Sequence, residues 1–149
     1  MRHLVIPNSI TSQGSSVFSG CTSLQRLALN LQGSSELKDC SSLKNVCIKQ
    51  VTTIGSHAFS GCVALPSITF PKTITSISSY AFQKCYGIQM YDFRSLEKVP
   101  QLSSTNAFSD TYAYLEIVVP DALYDEWIAA TNWTSYASKI VKASEYTQV

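Results

Sequence analysis

Charge is scarce in this chain. Only 14% of its 149 residues are Asp, Glu, Lys or Arg, and they nearly cancel to a formal net charge of +1. Nucleic-acid binding needs a basic stripe and electrostatic membrane attachment a polybasic run, and the sequence has neither. Long apolar stretches are missing too. No run of 18 or more apolar residues occurs, which argues against direct membrane insertion. The opening Met1-Arg2-His3-Leu4-Val5-Ile6-Pro7 is too short in apolar length for a signal peptide, so the sequence reads as soluble and without an export address. Histidine is limited to His3 and His57, and no Gly-rich phosphate loop is present. The five cysteines include no C-x2-C pair of the kind zinc sites use. Asp125 and Glu126 are adjacent on an expected helix and point apart, so they do not make a catalytic carboxylate pair. A nucleophile, a base and an orienting group converging on one pocket are not in view. The expectation is a protein that is not an enzyme and takes no cofactor or metal.

What the sequence has instead is self-similarity. Ala58-Phe59-Ser60-Gly61-Cys62-Val63-Ala64-Leu65-Pro66-Ser67-Ile68-Thr69-Phe70-Pro71 recurs as Val17-Phe18-Ser19-Gly20-Cys21 through Leu29, and as Ala81-Phe82-Gln83-Lys84-Cys85 through Phe93. A weaker copy runs from Leu37 through Cys40 and Leu43 to Ile48. The last copy, Ala107-Phe108 to Val119-Pro120, puts Thr111 at the cysteine and Tyr114 at the leucine. A fixed period of this size is the mark of a solenoid, in which each unit buries its apolar face against its neighbours. Equivalent residues then stack at the strand spacing of about 4.8 Å. Cys21, Cys40, Cys62 and Cys85 become a buried column used for packing, and Phe18, Leu37, Phe59, Phe82 and Phe108 a core ladder. Cys47 falls on the opposite face and is expected to be an exposed free thiol. His57 aligns with Ser16 and Tyr80, a variable surface position.

Met1 to Pro7 aligns with the strand half of the unit, so the array is expected to begin in mid-repeat with an unpaired strand edge. Between the strands, short β-branched stretches such as Ile74 to Ile77 predict brief extended segments on the outer side of each coil. The segment at Gln32 to Glu36 is shortened, and Val99-Pro100-Gln101-Leu102 reads as a longer, more irregular arc. After Val119 the pattern stops. Pro120 to Ala130 predicts a helix with Asp121 as its N-cap, and Thr134 is expected to cap a second short helix reaching Lys142. Both would close the end of the solenoid, with Trp127 and Trp133 packed inward and a carbohydrate platform as their less favoured role. Asn132-Trp133-Thr134 also matches a glycosylation sequon, which is discounted without a secretory signal.

The units resemble BspA-type leucine-rich repeats, which read roughly A-F-x-x-C-x-x-L-x-x-I-x-I-P, and the resemblance covers residues 1–120. The end of the chain, 121–149, resembles the terminal cap of such repeats in gut-bacterial and prophage-encoded proteins. The resemblance implies an α+β, mostly β fold: a leucine-rich-repeat solenoid with a parallel sheet of about six strands and a C-terminal helical cap. It further implies recognition or adhesion at a cell surface, with a protein or glycan as partner. A structural or receptor-binding part of a phage particle, docking or self-associating through the N-terminal strand edge, is the alternative. Period-two alternation turns Leu27 and Leu29, Val46 and Ile48, Ile68 and Phe70, Tyr91 and Phe93, Ile117 and Val119 inward. Outward, as the expected partner-binding face, lie Arg26, Ala28, Asn45, Cys47, Ser67, Thr69, Met90, Asp92, Glu116 and Val118, with His3 and Val5 on the first strand. No aromatic anchor is expected among them, which suits weak, multivalent contact.

Overall fold

A computed structural model describes residues 2–7, 9–10, 14–29 and 36–147. The expected features at 32–35, the outer segment at 11–13 and the Leu29 side chain lie outside the described residues. The chain winds through β1 (His3–Val5), β2 (Arg26–Leu29), β3 (Asn45–Ile48), β4 (Thr53–Ile54), β5 (Ser67–Thr69), β6 (Ser76–Ile77), β7 (Met90–Asp92), β8 (Gln101–Leu102) and β9 (Glu116–Val119). A 3-10 turn over Asp121–Leu123 leads into α1 (Tyr124–Ala129), a second 3-10 segment spans Trp133–Lys139, and β10 (Ile140–Lys142) ends the sequence of elements. All strand pairings are parallel, as a coil with one rotation sense requires.

The fold is the expected mostly β leucine-rich-repeat solenoid. Six repeat strands form its main wall, and the register pairs equivalent residues: Leu27 opposite Val46, Ile68 opposite Tyr91, and Tyr91 opposite Ile117. The wall is divided. β1-β2-β3 form one sheet and β10-β9-β7-β5 another, with β3 and β5 adjacent but not laddered. A third sheet, β4-β6-β8, forms the outer side. Gln101 and Leu102 thus correct the expected irregular arc, because they pair in register with Ser76 and Ile77.

Between the two walls runs the Phe-x-x-Cys turn, and its backbone forms a ladder of its own. Leu37, Phe59 and Phe82 each donate their N–H to the carbonyl of the residue before the aromatic in the next coil, at Ala58, Ala81 and Ala107. Gly20, Asp39, Gly61, Lys84 and Asp110, each just before the cysteine position, all adopt positive φ. This left-handed step reverses the chain, and at Gly61 a Cβ would lie 2.4 Å from Asp39 Oδ1. The aromatic ladder is present: Phe59 stacks on Phe82 at 5.2 Å and Phe82 on Phe108 at 5.5 Å, with planes within 10° of parallel. The buried cysteines do more than fill space. Cys40, Cys62 and Cys85 donate their thiols to the carbonyls of Phe18, Leu37 and Phe59, one coil back, at 3.0–3.2 Å. Burial pushes Cys40 up to about 11 and Cys85 up to about 12, which keeps both as neutral donors.

The C-terminal end is sealed by aromatic packing. Trp127 and Trp133 are fully buried, 5.3 Å apart, and pack on Phe93 at 5.2 and 5.8 Å. The Trp133 indole donates to Pro100 O at 2.7 Å, and Asn132 donates to Leu102 O at 2.7 Å, so the end segment is fastened to the outer arc. Their burial corrects any carbohydrate-platform role. Two helix expectations are also corrected. Asp121 does not cap its own helix but accepts from the Ser144 N–H at 3.0 Å, and the second helix gives way at Ile140 to a strand that adds to β9. The apolar, β-branched Ile140-Val141 pair finds the open edge of β9 there, which satisfies backbone groups a helix end would leave bare.

Candidate functional site

The expected partner face is traceable residue by residue. Arg26, Asn45, Cys47, Thr69 and Glu116 are exposed, and Ala28, Ser67 and Met90 are partly so. Asp92 and Val118 are not available. Asp92 is 6% exposed and Val118 is 0% exposed, although both occupy outward positions of their strands. Val118 lies outside the cluster of core side chains, which marks it as covered from the other side. Arg94 covers one side of this corner: it folds over Asp92, with Nε 2.9 Å from Oδ1 and Nη2 2.7 Å from Oδ2. Val118 lies on β9, between β7 and β10. Beyond β10, Tyr146 lines the same groove as residues of β5, β7 and β9. Burial alone would raise the pKa of Asp92, but the hydrogen bonds and charge of Arg94 outweigh it, and the carboxyl is held below its ordinary range.

The remaining face has two distinct regions. At the break between β3 and β5 opens a cleft of about 590 Å³, lined by Asn45, Cys47, Ile48, Thr69, Lys72 and Ser95 among others. The Cys47 thiol is exposed there, as expected. At the other end, Ser67, Met90 and Glu116 follow one another across β5, β7 and β9, since Ser67 pairs with Met90 and Met90 with Glu116. They form the floor of a groove of about 380 Å³ walled by Tyr112, Tyr114 and Tyr146. Tyr112 and Tyr114 meet edge to face, ring centroids 5.9 Å apart and planes at 67°. Tyr114 is 81% exposed, more than any other large apolar or aromatic side chain among the described residues.

These tyrosines are what the sequence reasoning missed. The gapless repeat alignment assigns Tyr114 to the buried leucine position, yet Leu115 enters the core in its place and Tyr114 turns out. The strand register is kept, because Glu116 still pairs with Met90. The turn before β9 therefore exchanges the two side chains, and a hydroxyl-bearing ring is spared burial. The adjacent Leu115 in the sequence was the available signal. Thr111, at the cysteine position, bonds to Phe108 O within its own coil at 2.7 Å rather than to the coil before.

His57 is half-buried and stacks on Tyr80 at 5.0 Å, and no cluster of His, Cys, Asp or Glu suited to a metal occurs among the described residues. No helix among those residues is long and apolar enough to cross a membrane.

The match to the family model decides the lineage: six copies of the BspA-type leucine-rich repeat region fall on residues 1–37 and 32–126. The chain belongs to the BspA-type leucine-rich repeat family. Solved structures agree on the fold. A leucine-rich cell surface protein of Faecalibacterium prausnitzii A2-165 aligns over 80% of this chain and 31% of its own, at 23% identity and TM-score 0.68. A leucine-rich repeat protein of Bacteroides ovatus aligns over 95% and 42%, at 24% identity and TM-score 0.65. The leucine-rich repeat protein of T. pallidum aligns over 79% and 57%, at 25% identity and TM-score 0.64. The chain therefore spans less than two thirds of the length of these leucine-rich repeat structures. No curated protein matches it in sequence.

Proposed function

We propose that this chain is a non-enzymatic recognition or adhesion module that holds a protein or glycan partner on the outward face of its strands, at a cell surface. The observation that carries the reading is the exposed Tyr112–Tyr114 pair beside the open row Ser67, Met90 and Glu116. Exposed aromatic rings at the edge of a strand wall supply contact area at low entropic cost, the usual basis of a binding hot spot. Membership in a repeat family used for binding, and a solved relative described as a cell surface protein, support the same reading. Coating beads with the protein and measuring their retention on bacterial or epithelial cell layers tests it. Tyr112→Ser with Tyr114→Ser should abolish retention while Arg26→Glu leaves it unchanged. Retention by the tyrosine variant equal to that of the unaltered protein would place binding elsewhere.

The opposite end favours a second reading, docking onto another subunit. Among the described residues β1 pairs with β2 alone, Val5 is 73% exposed, and Leu4, Phe18 and Cys21 line an open apolar recess with Leu24. A further strand, of a second copy or of a phage structural subunit, would satisfy both backbone and recess. Light scattering across a hundredfold concentration range reads this directly: growth in mass supports docking, and a constant monomer mass removes self-association.

A further inference from the structure

We infer that the tyrosine-walled groove receives the cationic side chain, lysine or arginine, of a partner protein; this rests on the reading of that face as the recognition surface and names its chemistry. Three independent features of the groove favour a cation over a neutral or anionic group. First, Tyr112 and Tyr114 stand at 67° with centroids 5.9 Å apart, so they form a corner rather than a flat platform. Ring faces carry negative potential, and a corner lets one ammonium or guanidinium meet two of them. A sugar ring stacks best on a single open face.

Second, the groove holds an uncommitted carboxylate. The ion pairs among the described residues are Arg94 with Asp92 and Lys142 with Glu145, and Glu116 belongs to neither. Glu116 is exposed in the groove at the start of β9, two residues after Tyr114 in the turn that leads into the strand. Lys139, which reaches the turn beside Tyr112 and Tyr114, is bonded through its ammonium to the Ala113 carbonyl at 2.6 Å and forms no ion pair with Glu116. The other acidic residue of this corner, Asp92, is buried and neutralised by Arg94. A visiting cation therefore finds one free negative charge and no bound competitor for it.

Third, the floor suits the aliphatic stem of such a side chain. Met90 lies between Ser67 and Glu116, and its flexible thioether packs against methylene chains. Tyr146 closes the far side, giving about 380 Å³, room for one long side chain and its flanking backbone. The neighbouring cleft at Cys47 has no comparable set. It offers Lys72, a thiol and small polar groups, which name no ligand.

The experiment is an NMR titration of the full chain, reading the Met90 methyl, the Glu116 amide and the Tyr114 ring. The probes are acetyl-Gly-Lys-Gly-amide, its arginine analogue, its Nε-acetyl-lysine analogue and a neutral oligosaccharide, cellotetraose. Lysine and arginine peptides should shift all three signals and saturate. Acetylation should abolish the shift, and raising salt from 20 to about 300 mM should weaken binding severalfold, since the contact is partly between exposed charges. Tyr114→Ala and Glu116→Gln should each weaken the lysine peptide by about threefold to tenfold. Both side chains are exposed, so these variants keep the fold. Equal shifts by the lysine and acetyl-lysine peptides, or none by either, overturn the assignment. Cellotetraose acting alone also overturns it, while leaving the face as a glycan site. Failure of the wider reading is seen separately: cell retention unaffected by the paired tyrosine variant removes the face itself.

Discussion

Phe108 and Phe18 occupy the same repeat position in the last and first coils, and they live in different surroundings. Phe108 is 2% exposed, with Trp133 at 5.8 Å and Tyr136 at 5.2 Å against it, whereas Phe18 is only partly buried at the rim of an open recess. The cysteines tell the same story, with Cys85 buried and Cys21 half-exposed. A repeat residue has no burial of its own. It takes whatever the adjacent coil provides, so the stability of the solenoid should be graded from the sealed end to the open one.

The sharpest way to break that comparison is to remove a seal. Trp133→Ala should destabilise by about 3–5 kcal/mol in urea denaturation, because it opens a cavity against Phe93, Phe108 and Trp127 and frees the Pro100 carbonyl. The equivalent truncation at the open end, Phe18→Ala, should cost about 1–2 kcal/mol, since much of that surface is already in water. Equal costs would end the idea of a gradient.

A second contrast uses two glycines. At Gly87 a Cβ would lie 2.4 Å from the Val63 carbonyl oxygen, so backbone must move, and Gly87→Ala should cost about 2–3 kcal/mol by thermal denaturation. At Gly20 nothing among the described residues lies within 4 Å of the added carbon, and the positive φ of 72° is what resists it, so Gly20→Ala should cost about 1 kcal/mol.

The smaller effects concern titration and reactivity. Because Arg94 holds the Asp92 carboxyl below its ordinary value of about 3.9, its contribution is full above that pH and is lost as pH falls through the lower folded value. Denaturation midpoints of Asp92→Asn should therefore converge on those of the unaltered protein as pH falls below the ordinary carboxylate range, the full difference appearing above it. A difference that persists unchanged in acid would assign the effect to packing. For the thiols, a maleimide at neutral pH should label Cys47 first and Cys21 more slowly, leaving Cys40, Cys62 and Cys85 for the unfolded chain.

Much of the solenoid was legible in the residues because its period is written in them. Phe59 with Phe82, Cys62 with Cys85, and Ile68 with Tyr91 are neighbours by alignment and neighbours in space. What escaped was whatever depended on chain segments meeting without a shared period. Ile140 to Lys142 read as the end of a helix because the edge it joins, β9, is more than twenty residues away. Asp92 and Val118 alternate outward correctly and are still buried: Arg94 folds over Asp92, and Val118 sits on β9 between β7 and β10. The proposed recognition groove combined both difficulties. Tyr146 comes from the tail, and Tyr114 holds a core position in the alignment that Leu115 takes in the fold.

Hydrogen exchange resolved by coil tests the graded solenoid most directly, because amide protection reads local opening free energy in every strand at once. Protection should be greatest in β7 and β9, flanked by β5 and β10 beneath the two tryptophans, and should fall stepwise through β3 and β2 to β1. Uniform protection along the wall, or greatest protection in β1, would contradict it.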